Sequence, residues 1–280
     1  MTNNPGPSGP MASSSGPTPG DPGLSTSLLS LRGVSKNFGA VQAVENIDLD
    51  IPAGQVTALL GDNGAGKSVL IKTISGIWAP SSGQMFWKGE EVHVHTPRDA
   101  EHLGIATVYQ DLALCDNLDI VQNMFLGHEE TKVGLLDEIN MELTTRKTLA
   151  DLSVSTVKSV RQLVGSLSGG QRQAIAVARA VMRDSQLVIM DEPTAALGVS
   201  QTAQVLNLIK TLAARGIAVI VISHNLNDVF QVADRAAVMY LGSLVSAGPI
   251  ANYDTSSAVE LITTGESSRV PPTNVVSASN

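Results

Sequence analysis

A glycine-rich loop is the segment that most constrains what this chain can fold into. Residues 61–68 read GDNGAGKS, with two glycines five positions apart followed by a lysine and a hydroxyl residue. This pattern is typical of a loop whose backbone wraps around phosphate groups. The apolar run at 56–60 precedes it, and a run with helical character begins at residue 69. A strand, a phosphate loop and a helix in this order predict an α/β fold that binds a nucleotide.

Each part of this loop has a predicted task toward the nucleotide. Glycines let the backbone approach phosphate oxygens closely, and the start of the following helix adds about half a positive charge. The Lys67 ammonium would neutralise the β and γ phosphates, and the Ser68 hydroxyl would ligate Mg²⁺. An ordinary glycine turn before a helix is the alternative. The predicted nucleotide-binding residues of the loop are Gly61, Asp62, Asn63, Gly64, Ala65, Gly66, Lys67, Ser68 and Val69.

Composition excludes several other classes of protein. A chain of 280 residues is long enough to bury a core without disulfide or metal staples, and its single cysteine, Cys115, cannot form an internal disulfide. The net charge of −8 argues against generic binding to nucleic acid, which needs an excess of Lys and Arg. The most apolar run, at 216–222, is far shorter than the roughly 20 residues of a membrane-spanning helix. The N-terminus has no signal-peptide pattern, so we expect any membrane association to come through a partner.

The chain divides into two tails and one domain. Residues 1–26 are dominated by Pro, Gly and Ser and are expected to be disordered, and residues 266–280 are expected to be a flexible tail. The domain, residues 27–265, contains continuous apolar runs at 105–109, 187–190 and 217–222. Continuous apolarity predicts strands of a largely parallel sheet that helices cover on both faces.

Two other regions of the domain have different patterns. Residues 28–58 and 83–95 contain shorter strand patterns with glycine turns, which predict an antiparallel β flank. Residues 112–165 carry little strand signal and are predicted to be mostly helical. We expect a separate helical subdomain at about 112–180, beside the P-loop NTPase core. His93 and His95 alternate along one predicted strand, but no third metal ligand accompanies them, which favours a solvated strand.

A second segment indicates a second anion site. Residues 167–171 read LSGGQ and open a helical run, where Ser168 and the two glycines would cap the helix and present free amides. Two phosphate-type sites about 100 residues apart suggest one nucleotide shared between two chains. At this point the chain resembles the ABC ATPase family, from about Leu28 to Ile262. The resemblance implies two copies packed head to tail, with ATP contacted in trans by Ser168, Gly169, Gly170 and Gln171.

The same resemblance implies the remaining catalytic machinery. Asp191 and Glu192 follow an apolar strand, and their implied roles are to orient Mg²⁺ and to act as general base toward the attacking water. Gln110 would reach Mg²⁺ and the water and link the core to the helical subdomain, and His224 would hydrogen-bond the γ-phosphate. Phe38 would stack on adenine. The expected catalytic residues are therefore Lys67, Gln110, Glu192 and His224, and the expected Mg²⁺ ligands are Ser68, Gln110 and Asp191.

Two segments narrow the resemblance within the family. Residues 194–199 read TAALGV, with Gly198 where the family usually has an aspartate that couples the two sites. This segment and residues 109–118 look like the single-domain ATPases of bacterial monosaccharide importers for ribose, xylose or fructose. The implied partners are a second copy, integral-membrane permease subunits and, indirectly, a substrate-binding protein, with the chain peripheral on the cytoplasmic face of the membrane. Exposed-looking apolar residues around Met124 and Leu126 are candidates for docking the permease.

Three alternatives remain open from the sequence. One is an ABC ATPase with another cargo or the opposite direction of transport. Another is an ABC ATPase acting on DNA or ribosomes, which the acidic composition and the lack of a long coiled-coil insertion oppose. The third is a small-molecule kinase, which has no need for a second anion helix at Ser168.

Overall fold

A computed structural model of the chain describes residues 27–154 and 156–270. The tail predicted at 1–26 and residues 271–280 of the other predicted tail lie outside these ranges. The strands are β1 (Ser27–Phe38), β2 (Val41–Pro52), β3 (Val56–Leu60), β4 (Ser82–Trp87), β5 (Glu90–Val92), β6 (Ile105–Val108), β7 (Thr131–Lys132), β8 (Leu135–Leu136), β9 (Leu187–Asp191), β10 (Ala218–Ile222), β11 (Arg235–Tyr240) and β12 (Ser243–Pro249). The α-helices are α1 (Lys67–Ile74), α2 (Pro97–His102), α3 (Ile120–Phe125), α4 (Glu138–Asp151), α5 (Gly169–Val181), α6 (Val199–Ala214), α7 (Leu226–Val232) and α8 (Thr255–Thr264).

The central sheet has six strands in the order β12-β11-β3-β10-β9-β6. The five strands from β11 to β6 in this order pair in parallel, and β12 pairs antiparallel with β11. The predicted parallel core is confirmed. Parallel strands end at the same side of a sheet, so the residues that follow β3, β6, β9 and β10 are brought to one edge.

Alternate residues of the central strands enter two different cores. Leu187 and Ile189 of β9 pack with α1 and the antiparallel strands, whereas Val188 and Met190 pack with α5, α6 and the helical subdomain. All four side chains are fully buried. Burial on both faces explains why the sequence of this strand is continuously apolar instead of alternating.

The antiparallel flank is a four-stranded sheet in the order β2-β1-β4-β5. It matches the region predicted at 28–58 and 83–95, except that Val56–Leu60 belongs to the parallel sheet. His93 and His95 are exposed and their rings stack with centroids 6.2 Å apart. Among the described residues no cluster of three or more His, Cys, Asp or Glu is arranged to hold a metal.

The helical subdomain consists of α3, α4 and α5, and it also contains the short hairpin β7–β8 that the sequence pattern did not predict. The prediction that Met124 is exposed is wrong, because Met124 is fully buried on the inner face of α3, whereas Leu126 is 43% exposed. At the C-terminal end, Val270 is buried against the core, so packing continues past the domain boundary predicted at residue 265.

Candidate functional site

The glycine loop leaves β3 at Leu60 and leads into α1 through backbone that only glycine accommodates. Gly61 has φ 151°, and a Cβ there would lie 2.5 Å from the carbonyl oxygen of Met239. Gly66 has φ 97°, and a Cβ there would lie 2.7 Å from the carbonyl oxygen of Ala43. Both glycines are therefore needed because the loop passes close to neighbouring strands in a left-handed conformation.

The Lys67 side chain folds back into the loop. Its Nζ donates to the carbonyl oxygens of Gly61, at 2.7 Å, and Asp62, at 2.9 Å. Partial burial lowers the pKa of Lys67, and the carboxylates of Glu192, Asp62 and Asp191 oppose this shift. The Lys67 ammonium, held among backbone oxygens and three carboxylates, supplies the positive charge that would attract a phosphate to the loop.

A cavity of about 420 Å³ opens over the loop. Its walls include Asp62, Asn63, Gly64 and Gly66 to Val69 of the loop and α1, residues 41–43 of β2, and the turn Leu241–Gly242 between β11 and β12. The volume lies within the range of sites that hold small ligands and cofactors. Seven of the nine loop residues predicted to bind nucleotide therefore line one cavity, whereas Gly61 and Ala65 are not among its described lining residues. The turn at 241–242 is a wall that the sequence analysis missed.

Phe38 lies at the tip of the β1–β2 hairpin, beside this cavity but not among its described lining residues. It is 41% exposed and pairs across the hairpin with Val41, which does line the cavity. Its ring meets that of Trp78 edge to face, with centroids 4.8 Å apart. The Lys72 Nζ lies 4.9 Å from the Trp78 ring centroid, so a cation–π contact covers the tryptophan.

Two acidic residues end β9 at the same sheet edge as the glycine loop. Burial raises the pKa of Asp191, the neighbouring Glu192 raises it further, and Lys67 and Lys72 oppose the rise. Glu192 adopts φ 51°, which is unusual for a residue with a side chain, and its N–H donates to the Ile222 carbonyl oxygen at 2.9 Å. This bond holds the Glu192 backbone against β10, in a left-handed conformation of the kind that clusters at functional sites.

His224 follows β10 and contacts Glu192 directly. Its Nδ1 lies 2.8 Å from the Glu192 Oε2, and the histidine side chain is 79% exposed. Gln110 is exposed and follows β6, whose Val108 pairs with Met190 just before Asp191. The four strands thus place Gly61, Gln110, Asp191, Glu192 and His224 along one edge, as the sequence predicted.

The loop after Glu192 is anchored by a contact that no sequence pattern indicated. The Thr194 hydroxyl donates to Oδ2 of Asp228 at 2.8 Å, and Asp228 is buried within α7. Gly198 then caps the start of α6, so the position where an aspartate was expected carries no side chain.

The segment predicted as a second anion site is a capped helix start, as expected. The Ser168 hydroxyl accepts from the Gln171 N–H at 3.4 Å, and the Gln171 side chain accepts from the Ser168 N–H at 2.9 Å. A Cβ on Gly169 would lie 2.8 Å from Leu197, and one on Gly170 would lie 3.0 Å from Gln201. The glycines therefore also allow α5 to approach α6 closely, a role that the sequence analysis did not identify.

Residues 168–171 at the start of α5 and the glycine loop of the same chain do not line the same cavity. Residues 168–171 are absent from the described lining of the cavity over the loop. Ser168 and Gly169 are exposed. The start of α5 is therefore accessible from outside the chain.

The oxygen groups near the glycine loop are chemically suited to Mg²⁺. The Ser68 hydroxyl lies in the first turn of α1. The pKa of Asp191 is raised by burial and by Glu192, so a divalent cation would relieve the repulsion between these carboxylates. Within residues 27–154 and 156–270, no three His, Cys, Asp or Glu side chains form a metal-binding group, but Mg²⁺ normally keeps waters and takes phosphate oxygens. The donor set fits a metal that arrives with a nucleotide.

Every helix in the described parts of the chain is too short or too polar to cross a bilayer.

Residues 44–195 match the family model described as ABC transporter. The chain is 42% identical over 258 residues to the fructose import ATP-binding protein FrcA of Rhizobium meliloti, covering 90% of this chain and 98% of that protein. It is 45% identical over 218 residues to the xylose/arabinose import ATP-binding protein XylG of Sulfolobus acidocaldarius, covering 78% of this chain and 86% of that protein. Other relatives are longer, and the chain spans only 47% of a ribose import ATP-binding protein of Rubrobacter xylanophilus.

The fold is similar to a crystal structure of the ADP conformation of an ATP-binding cassette of an ABC transporter. The TM-score is 0.72 at 25% identity, covering 85% of this chain and 95% of that chain.

Proposed function

The chain belongs to the ABC transporter family, and from this premise we propose that it is the ATP-binding and ATP-hydrolysing subunit of an importer for a simple sugar. Membership of this family supports the assignment of ATP as the bound nucleotide. The names of the relatives, which are import proteins for fructose and for xylose or arabinose, support the direction of transport and the cargo. No residue of this subunit is assigned to the sugar.

One observation carries the catalytic part of the proposal: the four functional groups predicted from separate segments meet at one sheet edge. The Lys67 ammonium binds the β and γ phosphates, and its hydrogen bonds to them replace those to the carbonyl oxygens of Gly61 and Asp62. Glu192 accepts a hydrogen bond from the attacking water and aligns it with the γ-phosphate, and His224 holds the Glu192 carboxylate at 2.8 Å. Gln110 contributes an amide that both donates and accepts at the same edge.

Ser68, Asp191 and Gln110 would hold Mg²⁺, which would supply charge neutralisation at the phosphates when it is bound. Phe38 would stack on the adenine, with Trp78 supporting its ring from one side.

A second copy of the chain completes the site in this proposal. The Ser168–Gln171 helix start carries exposed polar groups but lies outside the cavity over its own glycine loop. A helix N-terminus stabilises an anion, so the γ-phosphate held by a facing subunit is its natural ligand. The two copies would close on two ATP molecules and separate after hydrolysis, because phosphate release removes the charge between them. Because residue 198 is glycine, the aspartate that usually couples the two sites in the family is absent at this position.

Permease subunits are the second proposed partner, and a groove beside Gln110 is the proposed docking site. The groove, of about 330 Å³, runs along the free edge of β6 and includes Leu126 and Ala113. Arg179 on α5 donates to the carbonyl oxygens of Leu112 and Ala113 at 3.0 Å each. A permease segment in this groove would therefore contact the residues just after Gln110, Leu112 and Ala113, which are hydrogen-bonded to α5 through Arg179.

Exposed apolar side chains extend this docking surface over the helical subdomain. They lie on β8 and on α4, and they are Leu135, Leu136, Ile139 and Leu143. Apolar groups gathered on one subdomain suit an interface better than solvent. Docking would place the chain on the cytoplasmic face of the membrane, with a substrate-binding protein reached only through the permease.

The experiment that tests the function is ATP hydrolysis by the purified chain and by two variants. The wild-type protein should release phosphate from MgATP, Lys67→Ala should lose nucleotide binding, and Glu192→Gln should retain binding while losing at least about 100-fold in turnover. Glu192→Gln hydrolysing ATP at the wild-type rate would refute the catalytic assignment. Transfer of phosphate to an acceptor other than water would instead support a kinase.

Cargo and docking need the protein together with its membrane partner. Uptake of fructose, xylose and ribose by the reconstituted complex, driven by ATP, identifies the sugar, and uptake of none of them would refute the sugar assignment. Leu126→Glu should abolish uptake without changing ATP hydrolysis by the isolated subunit, because Leu126 lies in the groove and not at the catalytic edge. Unchanged uptake in this variant would refute the docking site.

A further inference from the structure

The turn between β11 and β12 has an unfavourable residue at its first position. Leu241 and Gly242 are its two central residues, with φ 44° and 88°. Two positive φ values in a two-residue hairpin identify a type I′ turn, for which Asn-Gly or Asp-Gly is strongly preferred. Leucine pays a steric cost in this left-handed region, and its side chain is 75% exposed, so burial does not compensate that cost.

This turn is attached to the glycine loop and to β2. The Gly242 N–H donates to the Ala65 carbonyl oxygen at 3.1 Å, and the Gly242 carbonyl oxygen accepts from the Glu45 N–H at 2.9 Å. A Cβ on Gly242 would lie 3.2 Å from the Ala43 carbonyl oxygen, so the backbone of the turn is pressed against β2. These contacts hold the backbone of the turn in place, so Leu241 stands at the wall of the cavity over the loop.

The cavity has a polar and an apolar part. Asn63, Lys67 and Ser68 provide polar groups on the loop side, whereas Val41, 65% exposed, and Leu241 provide branched aliphatic side chains. A nucleotide has the same division, with charged phosphates at one end and a largely apolar base and sugar face at the other. A nucleoside bound in the cavity would cover these exposed aliphatic groups.

We infer that Leu241 is a nucleoside-binding residue, which contacts the base and ribose of ATP and which the chain retains at the expense of turn stability. This inference rests on the proposed binding of ATP in the same cavity. It adds a contact from the β11–β12 turn to the loop and hairpin residues predicted from the sequence.

The chain contains a matched control for the test. Val133 and Gly134 form a second two-residue turn of the same kind, with φ 53° and 78°, between β7 and β8. Val133 is also aliphatic and is 96% exposed, but it does not line the cavity over the glycine loop. Replacing either residue with asparagine should relieve backbone strain, and only one replacement should affect the nucleotide.

The experiment measures thermal unfolding and binding of MgATP and inorganic tripolyphosphate, by calorimetry, for wild type, Leu241→Asn, Leu241→Met and Val133→Asn. Leu241→Asn should unfold at a higher temperature than wild type and bind MgATP about five- to tenfold more weakly, the loss expected for a few buried methylene groups. Its affinity for tripolyphosphate should be unchanged, because that ligand has no nucleoside. Leu241→Met should retain wild-type affinity, and Val133→Asn should gain stability without a change in binding.

Three results would overturn the inference. Wild-type affinity of Leu241→Asn for MgATP would show that the side chain makes no useful contact. An equal loss of affinity for tripolyphosphate would show that the substitution distorts the loop. Normal binding to the monomer with impaired ATP-dependent dimerisation would assign Leu241 to the contact with the second copy. Failure of the proposed function is distinguishable, because then wild type and Lys67→Ala would bind MgATP equally poorly.

Discussion

His224 and Glu192 form a pair in which the carboxylate that follows β9 is held by the imidazole that follows the neighbouring strand β10. The Nδ1 of His224 lies 2.8 Å from Oε2 of Glu192, with 79% of the histidine side chain and 18% of the glutamate side chain exposed. The exposed histidine contributes little to the core, so its contact with Glu192 serves the position of the carboxylate. A residue with this geometry is expected to matter for catalysis far more than for folding.

His224→Ala should therefore lower kcat by about 100-fold or more while leaving the free energy of unfolding within about 0.5 kcal/mol of wild type. Steady-state ATP hydrolysis and denaturant unfolding measure the two quantities. His93→Ala, which removes another exposed histidine, is the control and should change neither. A wild-type kcat for His224→Ala would show that His224 has no role in the mechanism.

Asp191→Asn should raise the thermal stability of the nucleotide-free protein at neutral pH. Burial and Glu192 raise the pKa of Asp191, which means that its ionised form is less favourable in the folded than in the unfolded chain. Above the folded pKa this cost is fully present, and it disappears as the pH falls and Asp191 becomes protonated. The difference in Tm between variant and wild type should thus be largest near pH 7 and shrink in acid.

Differential scanning calorimetry between pH 4 and pH 8 checks the sign, with Asp111→Asn, an exposed aspartate, as the control. A variant that is less stable than wild type at pH 7 would mean that the nearby Lys67 and Lys72 outweigh burial. Asp191→Asn should also lose ATP hydrolysis, because the carboxylate that destabilises the nucleotide-free protein is needed to bind the metal.

Trp78 should report on nucleotide at Phe38. The chain has two tryptophans, and Trp87 is buried in the antiparallel flank, so Trp87→Phe leaves Trp78 as the only tryptophan. Because the Phe38 and Trp78 rings are in contact, stacking of adenine on Phe38 should change Trp78 emission when MgATP is added to this variant. The further substitution Phe38→Leu should weaken ATP binding and abolish the change. An emission change that persists at full amplitude without Phe38 would contradict adenine stacking on this ring.

The parallel core and the catalytic edge were predictable because their signals are local and continuous. The strands β3, β9 and β10 begin and end within about one residue of the predicted apolar runs, since burial on both faces leaves little room for polar side chains. The glycine loop was equally clear, because its left-handed backbone and close approach to Met239 and Ala43 permit only glycine.

Features that depend on distant contacts were not predictable. The burial of Met124 has no local signal, because α3 has only six residues, too few for a clear period, and packing against the rest of the subdomain decides which face is buried. The β11–β12 turn was missed because Leu241 occupies the position where asparagine or aspartate would signal a hairpin. The contact of Thr194 with Asp228 joins residues 34 positions apart, and no spacing rule connects them.

Ser168 offers the most direct test of the shared site, because asparagine and aspartate cap a helix about as well as serine. Ser168→Asn and Ser168→Asp should both preserve the start of α5, but only the aspartate would place a negative charge toward the γ-phosphate of a facing subunit. In the Glu192→Gln background, the mass in solution with MgATP is measured by light scattering. We expect a dimer for Glu192→Gln alone and for the added asparagine, and a monomer that still binds ATP for the added aspartate. An aspartate variant that dimerises with ATP as well as the asparagine variant would contradict the clamping of nucleotide between two copies.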